Sequence, residues 1–293
     1  MRILLLGNTG QLGWELQRTL APLGELNACD YPDLDLSDLK SFLQVFHDCQ
    51  PDLLVNATAY TAVDRAEDEP DLAHAINAIA PGVMAEEARQ HGIAFIHYST
   101  DYVFDGRKGV PYLETDLPSP LSIYGRSKLA GEQAVQQAGG AFLILRTSWV
   151  YSLRRDSFVS KVLAWSRQQD TLRLVTDQVS GPTWARLLAE VTSQLANLGR
   201  EDLFSWFSQY HGLYHLAGSG YCSRFAWGQK ILELDPHKAD QRVQQLLPAL
   251  TSEFPTPAER PLFSALDCNL FSRTFHLQLP DWKFSLKLAM ESM

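Results

Sequence analysis

Ile3-Leu4-Leu5-Leu6-Gly7-Asn8-Thr9-Gly10-Gln11-Leu12-Gly13 decides the fold. Four consecutive apolar residues suit a strand covered on both faces, as in a parallel sheet. Glycines spaced as GxxGxxG follow at once, and Gln11 to Leu20 reads as a helix. The spacing alone is common in turns. Between a buried strand and a helix, the glycines provide a tight turn, close approach of backbone to a pyrophosphate, and close helix–strand packing. The helix start adds free N–H groups and the positive end of a dipole. Gly7, Gly10, Gln11, Leu12 and Gly13 are therefore the expected contacts of a dinucleotide.

The rhythm continues outward. Leu26 to Cys29 reads as a strand. Ser37 is expected to cap a helix whose apolar residues Leu39, Phe42, Leu43 and Phe46 are spaced by three and four. Asp52 to Asn56 is a strand, Asp71 to His91 a helix stopped by Gly92, and Ile93 to Tyr98 a strand. Ser122 to Gln137 is helical and Phe142 to Arg146 is a strand. Strand–helix alternation with short connections predicts an α/β fold: a doubly wound, Rossmann-like parallel sheet. After Val150 the rhythm loosens. Residues 1–150 are assigned to the nucleotide-binding domain and 151–293 mainly to a smaller C-terminal substrate-binding lobe. Segments near 171–183 and 211–217 are expected to return to the sheet.

The 293 residues are 45% hydrophobic, enough for one large α/β domain or a domain plus a lobe. A net charge of −9 without any basic stripe excludes a nucleic-acid surface. No apolar run approaches the ~20 residues that span a bilayer, and the N-terminal strand is too short for a signal peptide. A soluble, cytoplasmic protein is expected. Cys29, Cys49, Cys222 and Cys268 form no CxxC pair, so neither a disulfide framework nor a zinc site is expected. The histidines show no metal-ligand spacing, and His97, in mid-strand, reads as a core histidine.

Asp30 ends the second strand, about 20 residues beyond the glycine turn, where an acid meets the adenosine ribose 2′-OH. Its charge repels a 2′-phosphate, and the glycine loop holds no Lys or Arg to offset it. That favours NADH over NADPH. Asp33 and Asp35 compete for the position; Asp35 and Leu36 would alternatively flank the adenine. Ala57, Thr58 and Ala59 follow the strand ending at Asn56. Their small side chains let backbone approach the ribose and pyrophosphate.

Tyr124-Gly-Arg-Ser-Lys128 places Tyr124 and Lys128 on one helical face at i, i+4. Free tyrosine titrates near ~10 and is a poor acid–base group at neutral pH. A nearby lysine cation is expected to lower that value. Ser99 and Thr100 follow the strand begun at Ile93, where ligands bind in open parallel sheets. Thr100 is the expected partner of a substrate carbonyl. Ser99 is its rival, since neighbours on a strand face opposite ways.

These blocks carry a resemblance. Together with Asn56-Ala-Thr-Ala-Tyr-Thr-Ala-Val-Asp-Arg-Ala-Glu67, Ser99-Thr-Asp-Tyr-Val-Phe-Asp105, Tyr124-Gly-Arg-Ser-Lys-Leu-Ala-Gly-Glu132 and Leu145-Arg-Thr-Ser-Trp-Val-Tyr151, they make the chain resemble the dTDP-4-dehydrorhamnose reductases. That branch belongs to the extended short-chain dehydrogenase/reductase family. Asp177-Gln178, Gly181-Pro182-Thr183 and the loop Pro255 to Pro261 extend the likeness over nearly the whole chain. The resemblance implies reduction of the C4 keto group of dTDP-4-dehydro-L-rhamnose by NAD(P)H, in deoxysugar supply for cell-surface polysaccharide. It makes Tyr124 the proton donor, Lys128 the holder of the nicotinamide ribose, and Thr100 the group that polarises the carbonyl. It sets Val63, Tyr102, Phe104 and Trp149 around the sugar. Core packing is the competing role for Phe104 and Trp149. Arg260 is either a partner of the diphosphate or half of an ion pair.

The resemblance also implies Mg²⁺ at a dimer contact in some members. Glu15 and Glu190 match two acidic positions there, but Arg186 stands where a third carboxylate is expected. No metal is expected on that ground, and the protein is a monomer or homodimer. Two other readings remain: a non-catalytic NAD(P)-binding regulatory subunit, or another nucleotide-sugar enzyme, an epimerase or dehydratase. The intact Thr100, Tyr124 and Lys128 argue against the first. A dehydratase needs further acid–base groups, and Asp101 is followed by no glutamate.

Overall fold

A computed structural model of the protein describes residues 1–292. Its centre is a six-stranded sheet. From one edge to the other the strands are Gly212–His215, Phe142–Thr147, Ala94–Thr100, Leu53–Asn56, Arg2–Leu6 and Glu25–Cys29. Every pairing in it is parallel. Leu53–Asn56, Ala94–Thr100 and Phe142–Thr147 are buried at every position, which is why they read as unbroken apolar runs.

Side chains alternate between the two faces. Ile3 and Leu5 join Leu53 and Val55 under the helices Gln11–Leu20 and Ala185–Leu198. Leu4, Leu6 and Leu54 face the other way, onto Phe42, Phe46, Met84 and Ala88. A third apolar cluster, with Tyr151, Trp227, Trp282 and Leu286, forms the core of the C-terminal part. The chain runs from Arg2–Leu6 outward to Glu25–Cys29, then crosses back to Leu53–Asn56. Strand order therefore reverses at Arg2–Leu6, and a crevice opens off the carboxyl ends there.

Three expectations change. Gly212–His215 lies in the main sheet, but 171–183 does not return to it. Thr171–Val175 instead pairs in parallel with Gln245–Ala249 in a separate two-stranded sheet. That partner is far away in sequence, so local pattern does not show it. Asp38, not Ser37, caps the helix Leu39–Cys49, because the Ser37 hydroxyl is engaged by Asp35 at 2.7 Å. The helix read as Asp71 to His91 is broken by a π-turn at Ala75–Ile79, just ahead of Pro81. There Asn77 hydrogen-bonds Tyr60 and Ser127, fixing the neighbouring helix Ile123–Ala138. Among the described residues, no helix is long and apolar enough to cross a membrane.

Candidate active site

A cavity of about 930 Å³ occupies the crevice. Gly7 forms its floor with φ +86°, a left-handed conformation suited to glycine. A Cβ on Gly7 would lie 2.8 Å from the Ala57 carbonyl carbon. Its absence brings the loop against the end of the next strand. Gly13 does not line the cavity: a Cβ there would lie 1.9 Å from the Gly7 oxygen, so it seats helix on loop. No side chain caps the helix at Gly10, which leaves its first N–H groups for an anion.

Gly10, Gln11 and Leu12 line the cavity, as do Asp30, Asp35 and Leu36 on one wall and Ala57, Thr58 and Ala59 on another. Asp30 is already tied to the glycine loop. Its Oδ2 accepts from the Thr9 amide at 3.1 Å and from the Thr9 hydroxyl. Asp35 turns its carboxylate into its own loop, where bonds from Ser37 hold its pKa below the usual range. Thr147 also lines the cavity, and its Oγ1 is buried without a protein partner. Glycine cradle, uncapped helix and orphaned hydroxyl together suit a nicotinamide dinucleotide.

Beside the cradle stand Thr100, Tyr124 and Lys128. Ser122 caps the helix that carries the last two, accepting from Gly125 N at 3.1 Å. Lys128 is buried, with Nζ donating to the Tyr98 carbonyl at 2.6 Å. Burial pushes its pKa down to about 8, against an opposing pull from Glu132. His97 lies behind it, with Nε2 3.4 Å from Nζ. Asn56 Oδ1 accepts from Thr58 N at 3.0 Å, so its Nδ2 donates to His97 Nδ1 at 3.1 Å. Burial, with the Lys128 charge, holds His97 neutral, as a core histidine should be.

The expected effect of Lys128 on Tyr124 is corrected. Burial pushes the Tyr124 phenol above its ordinary range, and the neighbouring Thr100 hydroxyl only partly offsets this. At neutral pH the phenol keeps its proton, which is the form a proton donor requires.

The residues expected around the sugar divide. Trp149 lines the cavity with φ +40°, a strained conformation for a bulky residue. It stacks on Trp227 at 5.5 Å and 11°. Tyr102 meets Tyr124 edge-on at 5.7 Å but does not itself line the cavity. Phe104 is a correction: it is fully buried and stacked on Tyr112 at 4.0 Å, in a small core outside the cavity. Ser99 is another. It borders the cavity, but its hydroxyl is spent on Glu132. Val63 is half-buried and does not line the cavity. Arg260 takes the ion-pair role, 2.7 Å from Asp64 and 3.0 Å from the Ala258 carbonyl. Arg186 bridges carboxylates, 2.6 Å from Glu190 and 3.5 Å from Glu15.

Two further charged groups stand at the cavity's edge. Asp101 is buried and accepts from Ser180 at 3.1 Å and from Ser264. Burial pushes its pKa up to about 6 despite those bonds. Arg224 lies 3.6 Å over the Trp149 ring, and burial among aromatics lowers its pKa to about 10. It makes no ion pair among the described residues. Asp101 lies within the Ser99 to Asp105 block, whereas Arg224 escapes sequence reasoning: it comes from a helix remote in sequence, and only the fold brings it here.

A switch-point glycine cradle, with a Tyr/Lys pair and a strand-end threonine on one rim, defines an extended short-chain dehydrogenase/reductase. The chain matches the family model described as RmlD substrate binding domain over residues 1–293 and belongs to that family. It is 39% identical over 297 residues to the dTDP-4-dehydrorhamnose reductase of Burkholderia thailandensis, covering 100% of this chain and 99% of the relative. The Escherichia coli K12 enzyme of the same name is 40% identical over 301 residues, covering 100% and 98%. Among solved structures, a dTDP-4-dehydrorhamnose reductase from Clostridium acetobutylicum superposes with TM-score 0.90 at 34% identity, covering 100% and 99%. One from Bacillus anthracis, in complex with NADP, gives 0.89 at 32%, covering 100% and 99%. UDP-glucose 4-epimerase from Thermus thermophilus, at 19% identity and TM-score 0.79, shares the fold.

Proposed function

We propose that the protein reduces the C4 keto group of dTDP-4-dehydro-L-rhamnose to give dTDP-L-rhamnose, with Tyr124 as the proton donor. The observation that carries this reading is the convergence of Tyr124, Lys128 one turn along the same helix, and the strand-end Thr100 on the rim of a dinucleotide-sized cavity. Bound reduced nicotinamide dinucleotide supplies the hydride. Gly7, Gly10 and the helix start would hold its pyrophosphate, and Lys128 its nicotinamide ribose. Thr100, whose hydroxyl donates to Asp101 Oδ1 at 3.2 Å, would turn that proton to the substrate carbonyl and so favour charge on its oxygen. Tyr124 then gives its proton to the developing alkoxide. The Trp149 face and Tyr102 suit the apolar side of a deoxysugar, and Arg224 offers an unpaired cation to the diphosphate. Such an enzyme works in the cytoplasm on a soluble nucleotide sugar, and a pure binding module has no use for all three catalytic groups.

The test is loss of reduced-nicotinamide absorbance on mixing protein, cofactor and dTDP-4-dehydro-L-rhamnose, with dTDP-L-rhamnose as product. Cofactor binding without turnover, for NADH and NADPH alike, contradicts the reading. NADH remains the preferred cofactor. Asp30→Ala then raises the NADPH/NADH ratio of kcat/KM by about 10–100-fold, by removing a like charge from the 2′-phosphate. Both cofactors bind somewhat less well, because Thr9 loses its acceptor. An unchanged ratio in steady-state kinetics shows that this carboxylate does not meet the ribose.

A further inference from the structure

His47, Glu87 and His91 converge at the amino-terminal edge of the sheet, opposite the active-site crevice. His47 lies in the last turn of the helix Leu39–Cys49, Glu87 in the last turn of Ala80–Gln90, and His91 caps that second helix one turn further on. The two helices pack side by side on one sheet face through Phe42, Phe46, Met84 and Ala88. Glu87 Oε2 lies 3.5 Å from His47 Nε2 and 3.8 Å from His91 Nδ1. All three ligand atoms fall within 4.8 Å of one another. Around a four-coordinate zinc ion with bonds of ~2.0–2.1 Å, neighbouring ligand atoms are about 3.3 Å apart. Small rotations of two half-exposed rings close that gap.

The rings are also preset. Phe46 meets both imidazoles edge-on at 5.6 Å, and they lie 5.4 Å from each other. Glu87 is the most buried of the three and brings the negative charge. Both histidines line a cleft of about 690 Å³, from which water can complete the coordination. Two imidazoles and one carboxylate are donors for Zn²⁺ and its neighbours, whereas Ca²⁺ and Mg²⁺ prefer oxygen alone. His91 Nδ1 now contacts the Glu87 carbonyl at 2.9 Å, a bond that metal ligation replaces. Sequence spacing hides the group because its members come from two helices.

We propose that His47, Glu87 and His91 bind a divalent transition-metal ion, Zn²⁺ by donor chemistry, which staples the two helices. The test uses untagged, chelator-stripped protein titrated with Co²⁺, whose visible bands report four-coordinate geometry, followed by competition with Zn²⁺. A saturable band displaced by Zn²⁺ is expected. His47→Ala should weaken it by more than the ~10–100-fold typical of losing an outer-shell partner. Glu87→Gln keeps the shape and should also weaken it. Zn²⁺ should raise the thermal midpoint of the wild type and not of His47→Ala, while reductase turnover stays the same in all three. Absence of a saturable band, or an equal band in His47→Ala, overturns the proposal.

Discussion

Tyr124→Phe is expected to lower kcat by ~10²–10⁴ while cofactor affinity stays nearly unchanged. The substitution removes one oxygen. The ring keeps its edge contact with Tyr102, and the helix keeps its Ser122 cap. What disappears is the proton donor beside Thr100. Because burial raises the phenol's pKa, wild-type reduction should hold its rate through neutral pH and fall only in the alkaline range. The Phe variant should lack that alkaline limb. Pre-steady-state and steady-state rates with titrated cofactor check both points. A loss smaller than about tenfold means that water or another group supplies the proton.

Glu132→Ala is expected to destabilise the fold by about 3–5 kcal/mol, because it leaves Arg146 charged and unpaired in the interior. The present pair is forked: Arg146 Nε donates to Glu132 Oε1 at 2.8 Å and Nη2 to Oε2 at 2.6 Å. Both side chains are no more than 3% exposed. Ser99 adds a third bond to the same carboxylate. His215, 3.4 Å from Arg146, cannot supply an anion, since an imidazole is neutral or cationic; burial and that guanidinium push its pKa down to about 3 and keep it neutral. Phe104 covers Arg146 at 5.0 Å and cannot replace an anion either. Urea unfolding gives the loss. Glu132→Leu combined with Arg146→Met should recover most of it, as apolar replacement of both partners often does. A single-variant loss below about 1 kcal/mol would mean that water reaches the guanidinium.

What the sequence shows and hides follows from the range of each interaction. The glycine cradle is legible because strand, turn and helix are contiguous, and each glycine answers a local steric demand. Tyr124 and Lys128 are legible because helical periodicity fixes their face. Thr100 is legible as a strand-end hydroxyl, but its rival Ser99 is decided by Glu132, a residue on another element. Phe104 sits in the same block as Tyr102 and looks equivalent in sequence. A 3₁₀ turn at Asp101–Val103 sends it into the core instead. The sign of the Tyr124 shift depends on burial, which spacing does not encode. Arg224, the partner strand of Thr171–Val175 and the His47 group all depend on contacts between distant segments.

Hydride transfer to the sugar is tested by the fate of a label. Reduction of dTDP-4-dehydro-L-rhamnose in the presence of reduced cofactor dideuterated at nicotinamide C4 should give dTDP-L-rhamnose with deuterium at sugar C4, read by NMR, and Tyr124→Phe should give the same product slowly. Unlabelled product, or cofactor oxidised with the keto sugar unchanged, is incompatible with direct reduction at C4.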